Sequence, residues 1–171
     1  MPLIDAYMKY SGGIEGGYKS SGSKLAGDAG LTADSHHDGW SEVYSFNYTL
    51  DDSRSSSIEI TKPADKASSL LYQRYLQCLF AKAVSGSALE EHVIEEINVE
   101  LLRREDGAIS SFANYRFKEC RILSYGMSRE ASSDEPPEEK LTIAFNEMYM
   151  KYSTPSKVVA SFDWDFKGNN A

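Results

Sequence analysis

The chain has 171 residues and a mass of 19.1 kDa, which favours a single domain spanning residues 1–171. A chain of this size buries about 70% of its unfolded surface, so its core needs no metal or disulfide. Hydrophobic residues make up 41% of the sequence and aromatic residues 12%, which excludes a disordered protein. The net charge of −8 argues against binding to nucleic acid or to an anionic membrane surface, because both require clustered Lys and Arg.

The sequence shows no targeting or membrane-spanning segment. No apolar run approaches the roughly 18 residues of a spanning helix, so we expect no membrane insertion. Residues 1–6 lack the basic and apolar parts of a signal peptide. Cys78 and Cys120 lie in segments that are expected to be buried, and without a secretory signal they are predicted to be reduced thiols. We therefore expect the chain to be made and folded in the cytoplasm.

The first long segment, 11–33, is predicted to be a flexible loop. It contains seven glycines among many serines, which is too Gly/Ser-rich for a core element. Residues 17–24 come close to the spacing of a phosphate-binding loop. The lysine falls one position late, and neither an apolar strand nor an apolar helix flanks the segment, so we interpret it as loop rather than nucleotide site.

The next segment carries two adjacent histidines, His36 and His37, followed by Asp38. Neighbouring side chains on an extended segment point to opposite faces, so this group is poorly suited to chelate one ion. The third histidine, His92, has no nearby cysteine in sequence. We therefore expect solvated or capping histidines, no metal site and no cofactor.

Two alternating runs follow, at 44–48 and 57–61, and a polar turn at 51–56 separates them. Alternation of apolar and polar residues is typical of half-buried strands. The pattern then changes over 65–84, where apolar residues recur at three- and four-residue spacings. This periodicity predicts an amphipathic helix, for which Asp65 or Ser68 provides the N-terminal cap. Segment 89–94 is compatible with either continued helix or strand entry.

The second half of the chain is predicted to be mostly strands. In 115–123 the apolar face changes from Tyr115 and Phe117 to Cys120 and Ile122, which we interpret as a β-bulge. Segment 129–139, with two prolines inside an acidic run, is predicted to be an exposed loop. The other alternating runs are 97–101, 141–146 and 161–166.

The aromatic residues near the end of the chain and the paired acidic residues could each be considered as functional groups. Phe162 and Trp164 alternate with Asp163 and Asp165, and the carboxylates disfavour base stacking, so we expect both aromatic rings in the core. Paired acids such as Glu138–Glu139 are predicted to be solvated surface charge. No nucleophile elbow or triad pattern is present, and a hydrolase that uses His37 and a nearby acid is the weakest alternative.

The predicted fold is mainly β, a barrel of two antiparallel sheets with one flanking helix at about 65–84. One alternative function for such a barrel is small-molecule binding, as in lipocalins. That function needs a roomy apolar interior, whereas the large inward-facing residues favour a filled one.

The order of motifs resembles the Hcp family, the hemolysin-coregulated tube protein of bacterial type VI secretion systems. The resembling segments cover nearly the whole chain. They include the opening strand AYMKY, the segment DSHHDGWSEVYSF and the strand-to-helix passage ITKPADKASSLL. The segments SYGMS, PEEKLTIAF and ASFDWD follow in the same order as in the family. Asp38 and Asp163 depart from the family pattern, which has lysine and glycine there, and the loop at 11–33 is longer.

This resemblance implies a structural protein rather than an enzyme. Its expected form is a homohexameric ring, and the rings stack into a tube. A contractile sheath drives this tube outward, and a spike protein of the VgrG type sits at its end. It implies that effector proteins can occupy the lumen, and that the protein is cytoplasmic when assembled and then secreted by the type VI machine. In the family, an extended loop at the position of 49–57 helps rings to stack, whereas this connection is short here; within it, Asp51, Asp52 and Arg54 are the candidate ring contacts.

Overall fold

A computed structural model describes residues 3–12, 14, 16, 37, 39–50, 56–84, 94–105, 108–130, 132, 134, 136–154 and 157–165. Nine strands and one helix lie within these residues. In chain order they are β1 (Leu3–Tyr10), β2 (Ser41–Val43), β3 (Ser45–Leu50), β4 (Ser56–Pro63), α1 (Ser68–Val84), β5 (Ile94–Glu105), β6 (Ala108–Ser128), β7 (Glu138–Ala144), β8 (Glu147–Thr154) and β9 (Lys157–Asp165).

The strands form two antiparallel layers that share the 21-residue strand β6. The first layer has the order β2-β1-β5-β6-β8-β9, and it uses the first half of β6. The second layer has the order β6-β7-β4-β3 and uses the second half. The predicted two-sheet, mainly β fold with one flanking helix is therefore confirmed. Among the described residues, the strand pairing does not close into a complete barrel; the first layer ends at β2 and β9, and the second ends at β3.

Strand β6 passes from one layer to the other at Glu119, where the backbone has a φ of 53°. Phe117 and Cys120 are both buried although they lie three residues apart, so the predicted change of face occurs here. β5 makes the same change between its buried residues Ile94 and Ile97, and the register is kept because Ile94 pairs with Cys120 and Ile97 with Phe117. Against β7, the register shifts once, between Ile122 and Ser124.

The core lies between the layers and is filled by bulky side chains. Strands of the first layer contribute Met8, Ile97 and Phe117, and the second layer contributes Ile60 and Ile143; all five are fully buried. Phe117 also packs on Phe145, with ring centroids 4.7 Å apart. This filling agrees with the sequence-based argument against a lipocalin-like interior.

Helix α1 begins at Ser68, three residues later than the predicted start at 65. The preceding turn is ordered by Asp65, whose carboxylate accepts a hydrogen bond from the Ala67 N–H at 3.0 Å. The Asp65 N–H donates in turn to the Ser68 hydroxyl at 2.8 Å. Asp65 and Ser68, the two predicted capping residues, thus both stabilise the turn that leads into the helix.

The predicted connections are only partly visible. Most of loop 11–33, the polar turn at 51–55 and the segment 85–93 lie outside the described residues, as do the phosphate-loop-like residues 17–24 and His92. In segment 129–139, residues 129, 130, 132 and 134 are exposed, as predicted. The segment is not loop to its end, because β7 already begins at Glu138.

The prediction that Phe162 and Trp164 belong to the core is wrong for the single chain. Their side chains are 42% and 46% exposed. Both lie on β9, which in the described part of the chain pairs with β8 alone, at the end of the first layer. The alternation was recognised correctly, but in the single chain both rings remain partly exposed at this edge.

Candidate assembly surface

The most unusual surface of the chain is the edge formed by β9. Among the described residues, β9 pairs with β8 on one side and with no strand on the other. Every residue of β9 is exposed. An unpaired edge strand presents free N–H and C=O groups to any second strand or chain, and soluble proteins usually protect such edges. The edge is therefore a candidate for contact with another polypeptide.

One face of this edge is apolar. Trp164 pairs in register with the buried Met148, and Phe162 pairs with Met150. The Phe162 and Trp164 rings stack with centroids 6.2 Å apart and an interplanar angle of 10°. Tyr152 extends the same face and is 42% exposed. We name Tyr152, Phe162 and Trp164 the strand patch.

The opposite face of the same strands is charged. The Arg116 guanidinium lies 4.3 Å from the centroid of the Tyr149 ring, and Tyr149 pairs in register with Asp163. In the next row, the Lys118 ammonium lies 3.9 Å from the Glu147 carboxylate, and Glu147 pairs with Asp165. These residues line an open groove. The face is therefore suited to water, and the acidic groups lie on its outer strand.

A second exposed apolar surface lies on α1. Tyr72, Leu79 and Phe80 are seven and eight residues apart, which places them on one side of the helix. Phe80 is the most exposed large apolar residue among those described, at 66%. The Tyr72 ring also packs against Tyr125 on the second half of β6, at 5.1 Å. We name Tyr72, Leu79 and Phe80 the helix stripe.

A buried ionic cluster holds α1 in position. The Lys62 ammonium at the end of β4 donates to the Glu139 carboxylate on β7 at 2.8 Å and to the Asp65 carboxylate at 3.0 Å. It also donates to the Pro63 carbonyl at 2.8 Å. All three hydrogen bonds of this ammonium are therefore satisfied inside the protein. The cluster fixes the passage from β4 into α1.

The prediction that Glu138–Glu139 is solvated is wrong for Glu139, which has no exposed surface. Alternation along β7 turns Glu139 inward and leaves Glu138 exposed. Its second carboxylate oxygen accepts a hydrogen bond from the Tyr125 hydroxyl. Burial, this hydrogen bond and the charge of Glu139 raise the pKa of Tyr125 above its usual value. Sequence reasoning missed the site because an acidic pair usually indicates surface.

His37 is packed rather than solvated, which corrects the sequence-based expectation. Its imidazole Nε2 lies 3.1 Å from the Glu100 carboxylate, and its side chain is 7% exposed. The ring stacks on Tyr7 at 4.5 Å and meets the edge of Trp40 at 4.9 Å. His36 and Asp38 lie outside the described residues. Within the part of the chain that is described, no three His, Cys, Asp or Glu side chains are placed to hold a metal ion.

The two cysteines are free and buried, in agreement with the prediction of reduced thiols. Burial raises the pKa of both thiols above the usual range. The candidate ring contacts Asp51, Asp52 and Arg54 lie outside the described residues. The strand patch was not identified from sequence, because Phe162 and Trp164 were expected in the core. The helix stripe was not identified either, because the spacing over 65–84 predicts an amphipathic helix without showing which of its apolar residues stay exposed.

Comparison with protein families gives one match that covers most of the chain. The family model for the type VI secretion system effector Hcp matches residues 7–152. The chain belongs to the Hcp family. Its membership places it in type VI secretion and confirms the resemblance recognised in the sequence. No curated protein matches the sequence.

Solved Hcp structures have the same fold. Hcp1 from Salmonella typhimurium superposes with a TM-score of 0.71 at 17% identity, covering 97% of this chain and 96% of that one. Hcp3 from Pseudomonas aeruginosa gives 0.67 at 16% identity, covering 95% and 98%. A type VI secretion system effector from Yersinia pestis gives 0.63 at 22% identity, covering 94% and 99%. The fold is thus retained although few residues are identical.

Among the described residues, no helix combines the length and apolar character needed to cross a membrane.

Proposed function

We propose that this Hcp family member is a structural tube protein, whose copies assemble into homohexameric rings that stack into the inner tube of a type VI secretion system. The observation that carries the proposal is the edge strand β9 with its strand patch: within the described part of the chain it pairs with β8 alone, and each of its residues is exposed. In a heterologous ring each copy covers the exposed edge of its neighbour, so the edge is free only in the single chain.

The remaining partners follow from the family. A contractile sheath surrounds the tube, a spike protein of the VgrG type sits at its end, and effector proteins occupy its lumen. The protein is then cytoplasmic during assembly and leaves the cell through the type VI machine itself. Asp51, Asp52 and Arg54, in the connection between β3 and β4, are the proposed contacts between stacked rings.

The proposal is tested by the native mass of the full chain. Light scattering and native mass spectrometry across a concentration series should give about 115 kDa, six times the 19.1 kDa of one chain. Negative-stain images should show rings with a central hole. A monomer at every concentration would contradict the proposal. To test the stacking contacts, the triple variant Asp51→Ala, Asp52→Ala, Arg54→Ala should keep the ring mass and lose any higher stacked species.

A further inference from the structure

Strand β9 has the composition of a strand that pairs readily with a copy of itself. The run 158–162 contains no charge and no proline, and it begins with two β-branched residues. These residues, Val158 and Val159, are 53% and 54% exposed. In the part of the chain that is described, β9 pairs with β8 alone. An uncharged, exposed run at the edge of a sheet is a typical site for edge-to-edge association of chains.

A β-bulge turns Lys157, the first residue of β9, towards the apolar face. The register between β8 and β9 shifts after Tyr152, and β9 has one residue more than β8 at that point. Beyond the shift Lys157 pairs with Thr154, which lies two residues from Tyr152 and therefore on the same face. Lys157 thus lies on the face of the strand patch, although strict alternation would place it on the face of Asp163. Bulges and inward-pointing charges are two ways in which natural sheets protect an edge.

The other half of β9 carries charge on the opposite face. Asp163 and Asp165 belong to the face that forms the charged groove. Arg116 and Lys118 share this face, but they lie on β6, and β8 separates them from β9. A strand that arrives at the free edge is therefore directly beside the two aspartates, whereas β8 and β9 separate it from the two cations. The charge that such a strand meets first on this face is negative.

Two copies of β9 bring like charges together when they pair. In the parallel in-register arrangement, Lys157 lies beside Lys157 and Asp163 beside Asp163. In the antiparallel arrangement that places Phe162 opposite Trp164, Asp163 lies opposite Asp163. Like charges directly opposite one another destabilise a strand pair. The antiparallel register that sets Lys157 against Asp165 forms no ion pair, because the bulge puts these two side chains on opposite faces.

We propose that Lys157 and Asp163 protect the edge of β9 from pairing with β9 of a second copy, and so determine which kind of surface the edge accepts. We name these two residues the edge charges. An antiparallel β9–β9 contact closes as a symmetric dimer, and a parallel one continues as a stack of strands. The protected edge remains available to a surface of a different kind. The inference goes beyond the tube proposal, because it describes free copies and holds whether or not rings form.

The test replaces the edge charges in the full chain. Lys157→Val and Asp163→Val each remove one charge and introduce a β-branched side chain that suits a strand. Each should increase the rate of aggregation at equal concentration on the order of 10-fold or more, because no unpartnered charge then enters the new contact. The double variant should aggregate fastest. Thioflavin T fluorescence and the mass of sedimented protein measure the effect, and native mass distinguishes aggregates from rings.

Two control variants separate the proposed role from a general loss of charge. Lys151→Val removes the same charge from β8, a strand with neighbours on both edges, and should aggregate as slowly as wild type does. Lys157→Arg keeps the inward charge and should also behave as wild type. Far-UV circular dichroism and urea unfolding establish that each variant is folded. The isosteric variants Lys157→Gln and Asp163→Asn replace any valine variant that is not folded.

A cross-link tests the β9–β9 contact itself. Ser161 is the central residue of β9, and it lies opposite Ser161 of the other copy in the parallel in-register arrangement. Residues directly opposite one another are close enough for a disulfide. Ser161→Cys should therefore give a disulfide-linked dimer when both edge charges are removed, and little of it when both are kept. Cys78 and Cys120 are buried, so they do not compete for this bond.

The inference is wrong if the folded variants without edge charges aggregate no faster than Lys151→Val. It is also wrong if Ser161→Cys cross-links equally well with and without the edge charges. Neither result contradicts the tube, which is tested by the native mass of the wild type. A wild type that is monomeric at every concentration contradicts the tube proposal, and the same variants still decide this inference.

Discussion

The ammonium group of Lys62 lies 2.8 Å from the Glu139 carboxylate, and neither side chain has any surface exposed to water. The pair joins β4 to β7 next to the start of α1. There the Asp65 carboxylate lies 3.0 Å from the same Lys62 ammonium. Removing water from these charges is costly, and the hydrogen bonds among them offset that cost. The position of α1, and with it the helix stripe, depends on this cluster.

Lys62→Met should therefore lower the free energy of unfolding by about 3–5 kcal/mol, since it leaves two buried carboxylates without a cation. The measurement is urea unfolding at neutral pH. Lys140→Met is the control, because the Lys140–Glu59 pair is on the surface and such pairs contribute about 0–1 kcal/mol. Equal losses in the two variants would contradict a structural role for the buried cluster.

Stability should fall at alkaline pH because the buried Tyr10 and the half-buried Tyr125 resist ionisation. Burial, with the charge of Asp65, raises the pKa of Tyr10 well above its usual value, and burial and Glu139 raise that of Tyr125. A tyrosine in the unfolded chain ionises near pH ~10. The unfolded state thus gains free energy above that pH while the folded state keeps its protons, so this stabilisation is complete below pH ~10 and lost as pH rises towards the folded pKa.

The measurement is the free energy of unfolding between about pH 9 and 11. The double variant Tyr10→Phe, Tyr125→Phe should be less stable than wild type at neutral pH, because the hydrogen bonds to Ser41 and Glu139 are lost. Its stability should decline less steeply with pH. Tyr44→Phe, at an exposed position, is the control. An unaltered slope in the double variant would show that other groups cause the alkaline loss.

Glu119 should show the cost of its left-handed backbone. Non-glycine residues pay about 1–2 kcal/mol in this conformation, and here the Asn146 amide donates to the Glu119 carboxylate at 2.6 Å. Glycine and alanine both remove that hydrogen bond, but only glycine relieves the backbone. Glu119→Gly should therefore be more stable than Glu119→Ala by about 1 kcal/mol. At Lys118, on ordinary strand, the order should reverse.

Most of the fold was predictable because local patterns determine it. Period-two alternation identified β4, β5, β7 and the middle of β6, and the three- and four-residue spacing identified α1. The change of face at Glu119 was visible as a three-residue gap between buried apolar positions. Whether the sheets close into a barrel was not predictable. Closure depends on which distant strands pair at the sheet edges, and the pattern of a single strand does not show this.

The burial of individual side chains was harder to predict than the elements. An exposed strand patch has the same alternation as a core strand, so Phe162 and Trp164 were assigned to the interior. Glu139 was assigned to the surface because acids are seldom buried without a cation, and its partner Lys62 is 77 residues away in sequence. Both errors arise from contacts between distant segments, which only the three-dimensional arrangement reveals.

Trp164 and Phe117 are two aromatic residues on the same face of the first layer, and they should differ in what they stabilise. Phe117 is fully buried, so Phe117→Ala should cost about 3–5 kcal/mol of folding stability. Trp164 is 46% exposed, so Trp164→Ala should cost less than about 2 kcal/mol in the dissociated chain. Its larger effect should be on assembly, because the ring would bury the exposed part of the indole. Urea unfolding below the assembly concentration measures the first quantity, and native mass against concentration measures the second. A loss of folding stability as large as that of Phe117→Ala, with ring formation unchanged, would show that Trp164 acts within its own chain.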